Sequence, residues 1–184
     1  MINKYKIGFF GDDVWAHKTL YYLLNDQSVK VSFICGRYKT KDNNLKKIAK
    51  INKIKFYKIK NVNDSKFLMN IKKKNLDLLV SMYFDQIFKK KIINLFNKKI
   101  INCNAGKLPF YRGRNILNWV LINGEKEFGI TTHFVNEKID QGDVILQKIF
   151  TIKKSDDYKS LLTKSYRECA IILYKTILIY MNIL

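Results

Sequence analysis

The sequence predicts one α/β domain of Rossmann-like type, with a mainly parallel sheet and helices on both faces. Short apolar runs of strand length alternate with amphipathic segments of helix length, an order typical of parallel strands joined by crossover helices. The 184 residues are the size of one domain, and 47% of them are apolar, enough for a continuous core. Because the chain has one proline and no linker or internal repeat, we expect the domain to span residues 1–184.

Each element is predicted from its own pattern. Strands are expected where about four to eight mostly apolar residues follow one another, and helices where apolar residues recur every three or four positions. The predicted strands cover residues 6–10, 30–35, 55–59, 76–81, 100–104, 129–135 and 143–150. The predicted helices cover residues 15–24, 39–51, 64–73, 86–95, about 115–123, and the segment from about 155 onwards.

The chain is strongly basic, with a formal net charge of +20. Only four of its 35 basic residues are arginines, and the lysines are scattered over nearly every predicted surface. This distribution favours a solvated surface over a face that binds nucleic acid, which stays the alternative. We therefore expect no nucleic-acid partner, and a positive field that would attract a phosphorylated small molecule.

The sequence predicts a cytoplasmic protein without a membrane partner. No uninterrupted apolar segment reaches the roughly 20 residues needed to cross a bilayer. The N-terminus passes into a strand-like run without the features of a signal peptide. The cysteines, Cys35, Cys103 and Cys169, are odd in number, widely spaced and set in apolar runs. This pattern favours reduced core thiols over disulfides or a metal site, so we expect no metal.

Three loops are expected to share one edge of the sheet. Ligands of open parallel sheets bind outside the carboxyl ends of the strands. The segments 11–13, 82–85 and 102–114 lie at or beyond the ends of three predicted strands, so they should line one cleft. The first of them lacks the G-x-G-x-x-G pattern of dinucleotide-binding proteins, which argues against a nicotinamide-dependent dehydrogenase.

Two amides and a carboxylate are the candidate reactive groups of this cleft. Asn102 and Asn104 stand at the end of the strand predicted at 100–104, and Asp140 lies in a turn-like segment between two later strands. An asparagine can donate to an oxyanion, worth about 100- to 1000-fold in rate, and an aspartate can accept or relay a proton. Taken singly, each residue is better explained as a turn or strand-end residue that bonds to backbone. Their ordered combination favours the functional interpretation.

This combination resembles the formyltransferases that use 10-formyltetrahydrofolate. The resemblance is carried by INCNAGKLPFYRGRN at residues 101–115 and by IDQGD at residues 139–143. Residues 11–17, 79–87, 111–119 and 124–133 are similar to the branch of that family that acts on amino sugars attached to nucleotides. The pattern YRGRN-x-x-x-W within residues 111–119 is the most specific of these segments.

The resemblance implies a co-substrate, an acceptor and three sets of site residues. The co-substrate would be 10-formyltetrahydrofolate, a reduced folate, and the acceptor the amine of a nucleotide-linked amino sugar, giving an N-formylated sugar for polysaccharide or lipopolysaccharide biosynthesis. The catalytic residues would be Asn102, Asn104 and Asp140. The folate-binding residues would be Ser81, Met82, Tyr83, Phe84, Asp85, Gln86, Asn136 and Asp140. The substrate-binding residues would be Gly11, Asp12, Trp15, Arg112, Arg114 and Asn115. For the two arginines, salt bridges that fix their loop are an equal alternative, and a homodimer is left open.

Position 104 departs from the pattern of that family, which has a histidine where this chain has Asn104. An amide cannot take up a proton near pH 7, so the sequence predicts slow turnover or none. Of the two histidines present, His133 is expected to be a hydrogen-bonded wall residue, and His17 could face the cleft from the first helix. Two alternatives stay open: a glycinamide ribonucleotide-type formyltransferase, and a folate- or nucleotide-sugar-binding protein without turnover.

Overall fold

The computed structural model describes residues 4–97 and 99–183, which form a seven-stranded sheet and six helices. The strands are β1 (Tyr5–Gly11), β2 (Val29–Gly36), β3 (Lys55–Lys58), β4 (Leu78–Met82), β5 (Ile100–Asn104), β6 (Glu127–Phe134) and β7 (Val144–Thr151). The helices are α1 (Asp13–Asn25), α2 (Asn44–Ile51), α3 (Ser65–Lys72), α4 (Lys90–Leu95), α5 (Ile116–Ile122) and α6 (Tyr158–Ile183).

The sheet has the strand order β3-β2-β1-β4-β5-β6-β7. The pairs from β3 to β5 are parallel, whereas β6 runs antiparallel to β5 and β7 runs antiparallel to β6. The chain order reverses between β1 and β4, and ligands of such sheets bind in the crevice at this point. The predicted Rossmann-like fold with a mainly parallel sheet is confirmed, and the loops after β1, β4 and β5 share one edge.

Helices cover both faces of the sheet, as predicted. α1, α2, α5 and α6 pack on one face around a cluster that includes Ile7 and Phe9. α3 and α4 pack on the other face around a cluster that includes Phe10 and Phe33. Successive side chains of β1 therefore enter different clusters. Those of Ile7, Phe9 and Phe10 are all fully buried. A strand buried on both faces has a nearly continuous apolar sequence, which is why β1 lacks polar alternation.

α2 and α4 begin later than their patterns predict. The predicted starts at residues 39 and 86 are wrong because side-chain hydrogen bonds hold the segment just before each helix in another conformation. Thr40 Oγ1 accepts a hydrogen bond from the Asp42 backbone N at 3.0 Å, which forms a turn that competes with the helix. The Gln86 side chain accepts from Val62 N at 2.7 Å and donates to Ile59 O at 2.8 Å. Both contacts tie Gln86 to the loop between β3 and α3, and α4 begins only at Lys90.

The long helix α6 is capped at its start and packs against α1. Ser160 N donates to Asp157 Oδ1 at 2.7 Å, and Asp157 N donates to Ser160 Oγ at 3.0 Å. This reciprocal cap places the first helical residue at Tyr158 rather than near 155. Within the described part of the chain, neither α6 nor another helix is long and apolar enough to cross a membrane.

The three cysteines are buried and unpaired thiols, as their apolar surroundings predict. Burial raises the pKa of the Cys35 thiol to about 12, so this thiol carries its proton at neutral pH. Cys103 lies on β5, where its Sγ is 3.8 Å from the backbone oxygen of Cys169 on α6. The middle residue of the candidate motif strand therefore belongs to the core, not to the cleft.

Candidate functional site

Strand β5 presents its two asparagines on one face of the sheet. Asn102 and Asn104 are separated by one residue, so their side chains leave the strand on the same side, opposite to Cys103. The antiparallel neighbour β6 pairs His133 with Asn102 and Thr131 with Asn104. Residues opposite each other in such a pair lie on the same face. The sheet thus assembles two amides, a hydroxyl and an imidazole side by side.

Asp140 closes this group from the loop between β6 and β7. Asn104 Nδ2 donates to Asp140 Oδ2 at 2.9 Å, and the backbone N of Gly113 donates to the same oxygen at 2.8 Å. The other carboxylate oxygen, Oδ1, is 3.4 Å from His133 Nε2. Asn102 Nδ2 lies 3.3 Å from the same ring nitrogen. Asp140 was expected to lie beside both amides. It contacts Asn104 directly, whereas His133 lies between Asp140 and Asn102 and contacts both.

The imidazole of His133 has a defined tautomer in this arrangement. Its Nδ1 is 2.8 Å from the backbone oxygen of Phe134, and a carbonyl oxygen can only accept, so Nδ1 carries a proton. In the neutral ring, Nε2 is then the unprotonated nitrogen, and it faces Asn102 and Asp140. The His133 side chain is 3% exposed and that of Asp140 is 13% exposed, so the carboxylate lies nearer to solvent than the ring. The expected wall residue His133 is thus in contact with two of the three candidate groups.

The loop that carries Asp140 is shaped by Gly142. A Cβ at position 142 would lie 1.7 Å from the backbone oxygen of Phe134, so only glycine fits there. Asp140 itself has a positive φ of 50°, a conformation that aspartate tolerates better than most residues. Asn136 braces the loop, since its Nδ2 donates to Gln141 O at 2.9 Å. The spacing of aspartate and glycine in the motif is therefore a steric requirement of this turn.

The segment between β5 and α5 is held against β6 and β7 by buried polar contacts. Thr131 Oγ1 donates to Gly106 O at 2.7 Å. Gln147 Nε2 donates to Leu108 O at 2.9 Å and lies 2.8 Å from Thr131 Oγ1. A Cβ at Gly106 would lie 2.2 Å from the backbone oxygen of Tyr111, so the segment folds closely on itself. This packing brings the Gly113 amide to Asp140.

The arginines of this segment remain at the surface. Arg112 and Arg114 are both exposed, and in the described part of the chain neither forms an ion pair. Arg114 Nη2 reaches the backbone oxygen of Asp85 at 3.5 Å, across the cleft. Asn115 follows with a positive φ of 56° and begins α5 as its N-cap residue. Two exposed guanidinium groups therefore flank Gly113, whose backbone N donates to Asp140.

The loop after β1 forms the opposite wall and is tied to the end of β2. Asp12 is buried, and its Oδ1 accepts from Thr40 Oγ1 at 2.7 Å, while Arg37 Nε is 4.0 Å from Oδ2. Burial raises the pKa of the Asp12 carboxyl above its usual range, although the Thr40 hydrogen bond and the Arg37 charge act in the opposite direction. His17 Nε2 is 2.6 Å from Asp42 Oδ2. His17 thus pairs with a carboxylate outside the group around Asp140.

Aromatic stacking links the start of α1 and the end of β2 to Tyr83, the residue after β4. The Arg37 guanidinium carbon lies 3.7 Å from the centroid of the Tyr83 ring, and the Trp15 ring stacks on Tyr83 at 5.6 Å. Arg37 Nε also donates to the backbone oxygen of Tyr83 at 2.9 Å. Tyr83 has a positive φ of 56° and is 42% exposed. Of the expected substrate residues on this wall, Gly11, Asp12 and Trp15 lie together but are buried.

The expected folate-binding segment lies at the end of β4, beside this wall. The side chains of Ser81 and Met82 are buried within the sheet. Phe84 stacks on Phe88 at 6.0 Å, and both polar groups of Gln86 bond to backbone. Among the side chains of this segment, those of Tyr83 and Asp85 are exposed. A ligand that binds here would meet these two residues and the backbone of the loop.

No group of three histidine, cysteine, aspartate or glutamate residues that could hold a metal ion occurs in the described ranges 4–97 and 99–183. The contacts around Asp140 bring together two amides, a carboxylate, an imidazole and the backbone N–H of Gly113. Such a set can stabilise a developing negative oxygen and can hold a proton.

Comparison with known proteins gives a family match. The family model described as "Formyl transferase" matches residues 15–177. The chain is 36% identical over 133 residues to the bifunctional polymyxin resistance protein ArnA of Wigglesworthia glossinidia brevipalpis. The matched region covers 72% of this chain and 20% of that protein. It is also 39% identical over 103 residues to methionyl-tRNA formyltransferase of Clostridioides difficile (strain 630). Here the matched region covers 56% of this chain and 33% of that protein. The matched regions thus span about a fifth of the length of the ArnA protein and about a third of the length of the methionyl-tRNA formyltransferase.

The fold is also similar to solved structures over nearly its whole length. Phosphoribosylglycinamide formyltransferase from Anaplasma phagocytophilum superposes with a TM-score of 0.83 at 22% sequence identity, which covers 95% of this chain and 86% of that one. At this identity, the likeness shows the shared fold.

Proposed function

Because the chain belongs to the formyl transferase family, we propose that it transfers a formyl group from 10-formyltetrahydrofolate to the amine of a nucleotide-linked amino sugar. The observation that carries this proposal is the contact of Asn104 with Asp140, beside Asn102, at the carboxyl end of β5. The group combines a hydrogen-bond donor for an oxyanion with a proton acceptor, and both are needed in acyl transfer to an amine.

Asn102 is the proposed oxyanion donor. Attack of the amine on the formyl carbon creates a tetrahedral intermediate whose oxygen carries a negative charge. One hydrogen of the Asn102 amide can point to His133 Nε2, 3.3 Å away, and the amide has a second hydrogen that is free for this oxygen. Such a donor contributes about 100- to 1000-fold in rate. Asn104 donates to Asp140 and keeps the carboxylate oriented toward the same place.

The proposed position of the folate is the cleft between the end of β4 and the loop of Asp140. The exposed Tyr83 and Asp85, the backbone of residues 81–86, and Asn136 would contact it. This position lies at the carboxyl edge, beside the reversal of strand order between β1 and β4. Titration with a reduced folate should protect residues 82–86 from amide hydrogen exchange. Saturable binding that protects another region instead would overturn this position.

The proposed acceptor carries phosphate. Arg112 and Arg114 are exposed on either side of Gly113, which contacts Asp140, and guanidinium groups suit the oxygens of a phosphate or diphosphate. The net charge of +20 would further favour the approach of a nucleotide-linked substrate. We place the reaction in the cytoplasm, in keeping with three buried cysteines that remain free thiols.

A second candidate is a glycinamide ribonucleotide-type formyltransferase, which would also use a phosphorylated amine. It is favoured by the extent of the fold shared with phosphoribosylglycinamide formyltransferase, a TM-score of 0.83 over 95% of this chain. The sugar acceptor is favoured by the segment with Tyr111, Arg112, Arg114, Asn115 and Trp119.

The test is a turnover assay with 10-formyltetrahydrofolate and a panel of acceptors. The panel contains nucleotide-linked 3-amino and 4-amino sugars, glycinamide ribonucleotide and methionyl-tRNA. We expect formylation of at least one amino sugar, and its loss in an Asn102→Ala variant that binds the folate unchanged. Formylation of glycinamide ribonucleotide or methionyl-tRNA without any sugar would overturn the acceptor. Saturable binding of folate and sugar without product would overturn the transfer reaction and leave a binding protein.

A further inference from the structure

We propose that His133, acting through Asp140, holds the proton that the acceptor amine releases, so that position 104 needs no titratable side chain. This inference rests on the proposed function and names the group that stores the proton in the same site. It follows from the contacts of the His133 ring, which lies next to both Asn102 and Asp140. Asn104 contacts Asp140 as well, but its amide cannot take up a proton.

The ring is built to receive a proton at one nitrogen. Its Nδ1–H is occupied by Phe134 O at 2.8 Å, so the second proton can enter only at Nε2. Nε2 has the Asp140 carboxylate 3.4 Å away, and a negative charge at this distance stabilises the imidazolium. In the described part of the chain, the contacts place one charged group, Asp140, against the ring. The ring also contacts Asn102 on β5 and the backbone oxygen of Phe134, and the backbone of His133 is paired with Val144 on β7.

Asp140 is the group that would contact the substrate. The His133 side chain is 3% exposed, so a substrate amine cannot reach it without the carboxylate, which is 13% exposed. His133 is therefore a positioning and proton-storing residue, and Asp140 relays the proton from the amine. Two hydrogen bonds to Oδ2, from Asn104 Nδ2 and Gly113 N, leave Oδ1 directed at the ring.

Protonation of the ring would also release Asn102. While Nε2 is unprotonated, Asn102 Nδ2 can donate to it at 3.3 Å. Once Nε2 carries a proton, it becomes a donor to Asp140 and can no longer accept from the amide. The hydrogen that Asn102 directed at Nε2 can then join the second amide hydrogen in donating to the oxyanion, which forms in the same step. Proton storage and oxyanion stabilisation are coupled through one ring nitrogen.

The proton count closes without a further reactant. As the acceptor nitrogen bonds to the formyl carbon, its proton passes through Asp140 to His133 Nε2. As the bond between the formyl carbon and the donor nitrogen breaks, the same proton returns through Asp140 to that nitrogen. One carbon–nitrogen bond forms, one breaks, and one proton moves from the acceptor nitrogen to the donor nitrogen.

The first test needs no substrate, so it is independent of the proposed function. The chain has two histidines, so ¹⁵N labelling of histidine gives two rings, and His17→Gln assigns them. We expect the neutral His133 ring to carry its proton on Nδ1. We expect Asp140→Asn to lower the pH at which this ring gains its second proton, because the nearby negative charge is lost. His17, which pairs with Asp42, is the internal control and should titrate unchanged. A neutral ring protonated on Nε2, or no shift in Asp140→Asn, would overturn the proposal.

The second test uses the pH dependence of formyl transfer. His133→Gln keeps an amide near the position of Nε2 but cannot titrate. We expect its kcat to fall by at least about 100-fold, with loss of the acidic limb of the pH–rate profile. A variant within about threefold of the unchanged protein that retains this limb would overturn the proposal. If no acceptor of the panel is formylated, the proposed function fails and the ring measurements alone decide the inference. They also decide it if His133→Gln does not fold.

Discussion

Replacement of Gly142 by alanine tests whether the turn after Asp140 is as tight as the structure indicates. The added Cβ would lie 1.7 Å from the backbone oxygen of Phe134 and 2.7 Å from its carbonyl carbon. Both atoms belong to the end of β6, where Phe134 N also donates to Asp143 O at 2.9 Å. A rotation of a side chain cannot relieve this overlap, so the loop itself must move. Asp140 lies two residues earlier and would be displaced from Asn104.

The size of the effect follows from these contacts. Steric overpacking destabilises by about 1 to 3 kcal/mol, and a clash with backbone belongs at the upper end of that range. In a protein of this size, about 3 kcal/mol corresponds to a Tm lower by about 6–12 °C. Gly124→Ala is the matched control, because a Cβ there meets nothing within 4 Å and the strain comes from a φ of +63° alone. That strain amounts to about 1 kcal/mol, or about 2–4 °C.

The assay is thermal unfolding at pH 7, followed by circular dichroism or calorimetry on both variants under the same conditions. Formyl transfer at a temperature where both are folded reports whether Asp140 has moved. We expect Gly142→Ala to lose more stability and more activity than Gly124→Ala. Equal or smaller losses in Gly142→Ala would refute the steric account of the aspartate–glycine spacing.

Three further predictions concern the reaction and the charge. Asn102→Ala should lower kcat by about 100- to 1000-fold in the formyl-transfer assay, and a loss below tenfold would exclude Asn102 as the oxyanion donor. Asn104→His should raise kcat by less than about tenfold, because the proton store is already present; a gain of 100-fold or more would assign that role to position 104. The groove between α1 and α6, lined by Lys18, Lys159, Lys164 and Arg167 among others, should hold RNA only at low salt. Four phosphate contacts imply an affinity loss of about 150-fold from 50 to 200 mM salt, so submicromolar tRNA binding at 150 mM would contradict this.

Much of the fold was readable from local patterns. β5 occupies residues 100–104 in the prediction and in the structure, because an apolar run ending in polar residues is a strong signal for a buried strand that reaches an edge. The same period of two places Asn102 and Asn104 on one face. The starts of α2 and α4 were not readable, because a local turn at Thr40 competes with α2 and contacts between positions distant in sequence hold the segment before α4. Gln86, for example, bonds to Val62, which is 24 positions away.

The sequence by itself determined the order of strands and helices, the family resemblance and two asparagines at the end of one strand. These features depend on near neighbours in the chain, whose spacing decides which side chains can be buried together. The tertiary structure decided that His133 enters the site, because its place depends on the pairing of β6 with β5 and on the register that sets it opposite Asn102. Register is a property of two strands at once, so the pattern of either strand alone does not contain it.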